Sequence, residues 1–121
     1  MKPAPFHYIA PSSLTEALDV MAQHVADAKL LAGGQSLIPV MNFRLAQPAV
    51  LVDLNKLSDL DRIEAAPAAG LRLGAMVRHS AAERSDAVAA HAPLLHEAMP
   101  HVAHPQIRNR GTIGGSLAHA D

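Results

Sequence analysis

The 121-residue chain holds seven glycines, and four of them form two pairs, Gly33-Gly34 and Gly114-Gly115. Glycine has no Cβ, so a ligand can approach its backbone closely and the chain can use positive φ. Successive amide hydrogens in such a loop can converge on an anion, and a following helix N-terminus adds favourable polarity. The first loop, Ala32-Gly33-Gly34-Gln35-Ser36, lies between an apolar run and a helical pattern, which is the placement phosphate binding needs. The second, Gly111-Thr112-Ile113-Gly114-Gly115-Ser116, follows Arg108 and Arg110, whose charge is suited to offset a diphosphate. Either pair alone reads more readily as a plain turn. Two pairs in a chain so poor in glycine favour an anion-binding reading.

Other chemistries fail on spacing. There is no G-x-G-x-x-G, and Gly34-Gln35-Ser36 lacks the lysine of a P-loop. Ser36 is not at a nucleophile elbow, because Ile38 stands where the last glycine belongs. His96-Glu97 approximates H-E-x-x-H, but His101 comes one residue late and Pro100 interrupts the helix. His91, His104 and His119 complete no ligand spacing, so the histidines are expected on surfaces and loops, with no metal site. Zero cysteines exclude disulfides, thiolate nucleophiles and Cys-ligated iron–sulfur clusters on this chain. No catalytic acid, base or nucleophile can be assigned.

Ten basic against 11 acidic residues leave a net charge of -1, without the basic footprint of a nucleic-acid module. The three aromatics, Phe6, Tyr8 and Phe43, make no base-stacking platform. Half the residues are hydrophobic, as a globular chain requires. No apolar run approaches the roughly 18 residues of a membrane span. Met1 to Pro11 carry one Lys and no apolar core, so no secretory signal and a cytoplasmic location are expected.

These loops need elements to position them. Phe6 to Ile9 is β-prone and is stopped by Pro11. Leu14, Ala17, Leu18, Met21, Ala22 and Val25 have the spacing of one buried helix face, and Ser13 with Glu16 has capping-box spacing. Lys29-Leu30-Leu31 and Val50-Leu51-Val52 read as buried strands around a helix from Leu37 to Leu45, with Pro39 tolerable in its first turn. Strand, glycine loop, helix and strand make a βαβ unit with parallel strands. Arg62-Ile63-Glu64 and Leu71-Arg72-Leu73 alternate around a Pro67/Gly70 turn like an antiparallel hairpin. Ser80 to Ala92 and Pro93 to Ala98 read as two alanine-rich helices. Nothing after the second glycine loop is long enough to form the element such a loop introduces, and a lone hairpin is too small a sheet. The expectation is the N-terminal part of a longer protein.

The runs Lys29 to Ala46 (KLLAGGQSLIPVMNFRLA) and Gln106 to Asp121 (QIRNRGTIGGSLAHAD) strongly resemble the FAD-binding medium subunit of molybdenum hydroxylases, the xanthine dehydrogenase and aerobic carbon monoxide dehydrogenase family. The opening residues Phe6, Tyr8, Pro11, Ser13-Leu14 and Glu16-Ala17-Leu18, with Leu71 to Ala75, fit the same pattern. The resemblance covers essentially the whole chain but only the first part of a family subunit.

It implies an α+β, PCMH-type FAD-binding fold. Residues 1–55 would be a βαβ sub-domain with the first loop, and residues 56–121 the truncated start of a second, antiparallel-sheet sub-domain with the second loop. FAD would lodge between them. Ala32, Gly33, Gly34, Gln35 and Ser36, with Thr112, Ile113, Gly114, Gly115 and Ser116, would hold its pyrophosphate through backbone amides. Lys29, Leu31 and Leu37 would flank that site, and Val102 would stand where some relatives place a side chain against the flavin. The FAD would be non-covalent, since Gln35 occupies the place where wider relatives attach flavin through a histidine. The molybdenum cofactor and [2Fe-2S] clusters would lie on partners, a molybdenum-binding large subunit and an iron–sulfur small subunit. Two alternatives stand beside this: a related nucleotide- or flavin-binding domain of another enzyme, and a structural fragment without cofactor.

Overall fold

A computed structural model describes residues 1–68 and 70–121, which divide into two compact units, Met1–Leu57 and Ser58–Asp121. The first unit contains β1 (His7–Ile9), α1 (Leu14–Gln23), β2 (Ala28–Leu31), α2 (Leu37–Asn42) and β3 (Val50–Asp53). Its three strands are parallel in the order β1-β3-β2, with Tyr8 and Lys29 both level with Leu51. The central strand β3 is apolar without alternation because both its neighbours and both its faces are covered, and Val52 is 0% exposed.

Ser13 caps α1, its hydroxyl accepting from the Glu16 amide at 3.1 Å, while the Glu16 carboxylate accepts from the Ser12 amide. The buried side of that helix departs from expectation. Leu18 is 61% exposed, and Leu14 and Val25 are also exposed. The inward stripe is Ala17, Val20, Met21 and His24, turned part-way round the helix from the one read from sequence. A three-stranded sheet offers a narrow floor, and the helix sets its smallest residue, Ala17, closest to it. The edge strand β2 likewise leaves Lys29 and Leu30 exposed, so only β3 is a buried strand. Helix α2 stops at Asn42 rather than Leu45, because Arg44 turns to φ 57.

In the second unit β4 (Ile63–Ala66) and β5 (Gly70–Leu73) form the antiparallel hairpin, Ile63 level with Leu73. Ala69, inside the Pro67/Gly70 turn, lies outside the described residues. Ile63, Leu71 and Leu73 pack onto a core of Val77, Ala82, Val88 and Met99. Val77 precedes α3 (His79–Arg84), which supplies Ala82; α4 (Asp86–His91) supplies Val88 and a 3₁₀ turn at Met99–His101 supplies Met99, while Leu95 of α5 (Pro93–Ala98) packs against them. The helix expected over Ser80 to Ala92 is two helices. Ser85 breaks it in extended conformation and caps α4 by accepting from the Val88 amide. After α6 (Pro105–Arg108), α7 spans Ile113–His119, so Gly114 and Gly115 lie inside a helix rather than in a loop ahead of one.

Candidate functional site

Every peptide plane of the first loop is trans, so each amide hydrogen points opposite to the preceding carbonyl. Most of those carbonyls are tied down. The Ala32 oxygen accepts from Asn55 Nδ2 at 3.0 Å, and the Gly33 oxygen from Gln35 Nε2 at 3.5 Å. The Gly34 oxygen accepts from the Ile38 amide at 3.1 Å and the Ser36 oxygen from the Val40 amide at 3.3 Å. The Gln35 oxygen would meet the residue four places on, but that is Pro39, which has no N–H. The amides on the other ends of these planes are free: among the described residues, nothing accepts from Gly33, Gly34, Gln35, Ser36 or Leu37. Gly34 makes this run possible at φ +77, a conformation a β-branched residue resists. Ser36 stands at the N-cap of α2 without a side-chain cap, so the amide of the helix's first residue, Leu37, stays open.

Behind the loop runs a polar chain from the end of β3. Asp53 Oδ1 accepts from both the backbone amide and Nδ2 of Asn55, and the Tyr8 hydroxyl donates to Asp53 Oδ2. The carboxylate raises the Tyr8 pKa, chiefly through that hydrogen bond, since the phenol must keep its proton to donate. Lys29 and Leu31 lie on β2 just ahead of the loop, Lys29 exposed and Leu31 half-buried, and Leu37 opens α2 half-buried.

The second glycine segment is wired differently. Thr112, 2% exposed, caps α7 by accepting from the Gly115 amide at 3.1 Å, and its carbonyl accepts from the Ser116 amide at 3.1 Å. The Ile113 amide donates to the Val77 oxygen at 3.0 Å and the Gly114 amide to the Ala75 oxygen at 2.8 Å. A Cβ on Gly114 would stand 2.7 Å from both the Cβ and the carbonyl oxygen of Ala75, so this glycine serves close packing rather than positive φ. Gly111 covers the imidazole of His79 in the same way, an added Cβ falling 2.7 Å from Nδ1. His79 is 5% exposed; its Nε2 bonds to Ser116 Oγ at 3.0 Å while its Nδ1 has no hydrogen-bond partner among the described residues. Burial lowers its pKa, the Thr112 backbone works the other way, and the charge of Arg108 lowers it further.

Arg108 is not available to a diphosphate. It is 7% exposed and its Nε donates to Glu83 at 2.9 Å, with a second contact through Nη2. Its Nη1 donates to the carbonyls of Pro100 and Val102, fixing the stretch that carries Ala103 at φ 48. Val102 itself is half-buried against the core of the second unit. Sequence reading passed over Asn55, Asp53 and His79. The first two had a signal, an Asp-Leu-Asn step at the carboxyl end of a buried strand; His79, the first residue of α3, had none. His79 also departs from the expectation of surface histidines. Among the described residues, no group of three His, Cys, Asp or Glu side chains could hold a metal, and no helix is long and apolar enough to cross a membrane.

A run of free amides on fixed peptide planes fits the phosphates of a dinucleotide cofactor, and comparison with known proteins points to the same class of ligand. Residues 4–121 match the family model described as the FAD binding domain in molybdopterin dehydrogenase. The chain is 47% identical over 121 residues to the 6-hydroxypseudooxynicotine dehydrogenase complex subunit alpha of Paenarthrobacter nicotinovorans, covering 100% of this chain and 40% of that one. It is 46% identical over 119 residues to the carbon monoxide dehydrogenase medium chain of Hydrogenophaga pseudoflava, covering 98% of this chain and 41% of the relative. Among solved structures, carbon monoxide dehydrogenase from Hydrogenophaga pseudoflava superposes with a TM-score of 0.96 at 46% identity, over 100% of this chain and 42% of that one. Quinoline 2-oxidoreductase from Pseudomonas putida 86 gives a TM-score of 0.94 at 49% identity, with 100% and 42% coverage. The chain thus spans about two fifths of the length of the relatives it matches. Fold and overall sequence agree: the chain belongs to the family of FAD-binding domains of molybdopterin dehydrogenases.

Proposed function

We propose that this chain forms the diphosphate-holding part of a non-covalent FAD site in the flavin subunit of a heteromeric molybdenum hydroxylase. The observation that carries this reading is the run of free amides from Gly33 to Leu37, four of the five held in place by bonds on the opposite ends of their peptide planes. Hydrogen bonds from such amides to an ionised phosphate are about twice as strong as neutral ones. Ala32 to Ser36 cradle the diphosphate, with Lys29, Leu31 and Leu37 bordering it. Thr112, Ile113, Gly114, Gly115 and Ser116 are the second contact segment. Because the Ile113 to Ser116 amides already serve the fold, this segment acts through its shape and its Ser116 hydroxyl. Val102 lends a half-buried aliphatic surface on the flavin side.

When bound, FAD would supply the redox chemistry of electron transfer from the complex to an external acceptor, while protein groups bind and orient it. This chain has no cysteine for a cluster, and on this reading the [2Fe-2S] centres are assigned to an iron–sulfur small subunit and the molybdenum cofactor to a large subunit. The assembly is of the xanthine dehydrogenase or carbon monoxide dehydrogenase type and works in the cytoplasm. Residues 1–55 and 56–121 contribute to two successive FAD-binding sub-domains.

Purification of the protein from its whole reading frame tests this. A flavin absorption spectrum, release of the flavin into the supernatant on acid precipitation, and co-purified iron and molybdenum are expected. A colourless protein, or flavin fixed in the acid pellet, contradicts the FAD assignment or its non-covalent form respectively.

A further inference from the structure

We infer that Asn55 is a positioning residue for the first loop: its hydrogen bond to the Ala32 carbonyl aims the Gly33 amide, and Asp53 and Tyr8 hold Asn55 in that pose. The inference rests on reading the loop as a diphosphate cradle. Its geometry is local. In a planar trans peptide the Ala32 C=O and the Gly33 N–H point in opposite directions and turn together. The 3.0 Å bond from Asn55 Nδ2 to the Ala32 oxygen therefore fixes the direction of the first free amide of the run.

The orientation of the Asn55 carboxamide is itself forced. Its Nδ2 faces two oxygens, the Ala32 carbonyl and Asp53 Oδ1, and an ionised carboxylate has no proton to offer. Only the NH₂ end satisfies both, so the amide cannot be turned over. Asp53 also accepts from the Asn55 backbone amide at 2.8 Å, and its other oxygen is taken by the Tyr8 hydroxyl. Tyr8 and Asp53 stand on the neighbouring parallel strands β1 and β3. The chain of bonds thus ties the open loop to the rigid centre of the sheet. Such a tie keeps the amides from relaxing into internal bonds before a ligand arrives, which is how preorganisation raises affinity.

The test is FAD titration of the FAD-free, full-length protein, with thermal unfolding measured alongside. Asn55→Asp sets a carboxylate oxygen against two acceptors and is expected to weaken FAD binding about tenfold, Asn55→Ala about fivefold and Tyr8→Phe about twofold. Asn55→Gln keeps a carboxamide donor at this exposed position and should stay within about threefold of wild type. In the FAD-free protein the Gly33 amide resonance should move in Asn55→Ala while that of Gly114 stays put, a change that general loosening would not produce. Asn55→Ala serves where the Asp variant does not fold. Wild-type FAD affinity in Asn55→Ala and Asn55→Asp, with Gly34→Val losing FAD, overturns the positioning role and leaves the cradle standing. Unchanged affinity in Gly34→Val overturns the cradle and this inference with it.

Discussion

Gly33-Gly34 precedes a helix, uses φ +77 at Gly34 and leaves a run of amides without acceptors. Gly114-Gly115 lies within the first turn of a helix, and the amides from Ile113 to Ser116 all donate inside the protein. The same dipeptide therefore does two jobs. In the first unit glycine supplies a backbone conformation that exposes donors. In the second it supplies the absence of a side chain, so that α7 can lie against Ala75. A Gly-Gly pair read from sequence cannot distinguish these, because the deciding facts are where the preceding carbonyls find donors and what lies above the missing Cβ.

Substitutions at the two pairs should accordingly fail in different ways. The largest effect is expected for Gly114→Val, whose Cβ would meet the Ala75 backbone; overpacking against backbone should cost about 3 kcal/mol or more, seen as insoluble protein or a collapsed thermal midpoint. Gly34→Val should fold, since its Cβ meets only the side-chain atoms Ile38 Cγ1 and Leu31 Cδ1 at 3.2 Å, but it should bind FAD about a hundredfold more weakly as φ relaxes and the amides turn away. If the Gly114 variant melts like wild type and loses only FAD, the contrast between the loops is broken.

The second unit's own wiring sharpens the comparison. Arg108→Ala removes the partner of Glu83 and two carbonyl contacts, and about 3 kcal/mol of stability should go with it in chemical denaturation. Thr112→Ala deletes the α7 cap and should cost about 1 kcal/mol, without the hundredfold loss of FAD expected at Gly34. The smallest effect concerns pH. The folded protein binds a proton at His79 less readily than the unfolded chain does, so stability from the neutral ring is present above about pH 6.5 and is lost as pH falls below it. His79→Gln should show a shallower decline in thermal midpoint between pH 7 and 5 than wild type. An equal slope in both would mean the ring titrates freely.

Much of this was legible in the residues. The apolar run Val50 to Val52, the Ser13–Glu16 cap and the alternation around Ile63 and Leu73 have local causes, and the structure has strand, cap and hairpin at those places. The family was legible too, because two separated motifs stand in order. What failed to show was the set of properties decided by distant partners. Leu14 and Leu18 match a helical stripe, yet which stripe faces inward depends on the width of the sheet beneath. Arg108 looked like a phosphate ligand because Glu83 lies 25 positions away in sequence. The Asn55 bond to Ala32 spans 23 positions and a strand crossing, and no spacing rule encodes it.

Backbone amide hydrogen exchange in the full-length protein, measured without and with FAD, tests the contrast most directly. The amides of Gly33 to Leu37 should exchange freely in the FAD-free protein and become protected when FAD binds. Those of Ile113 to Ser116 should be protected in both states. Protection of the first run before FAD is added, or protection of Ile113 to Ser116 that appears only with FAD, would contradict the account.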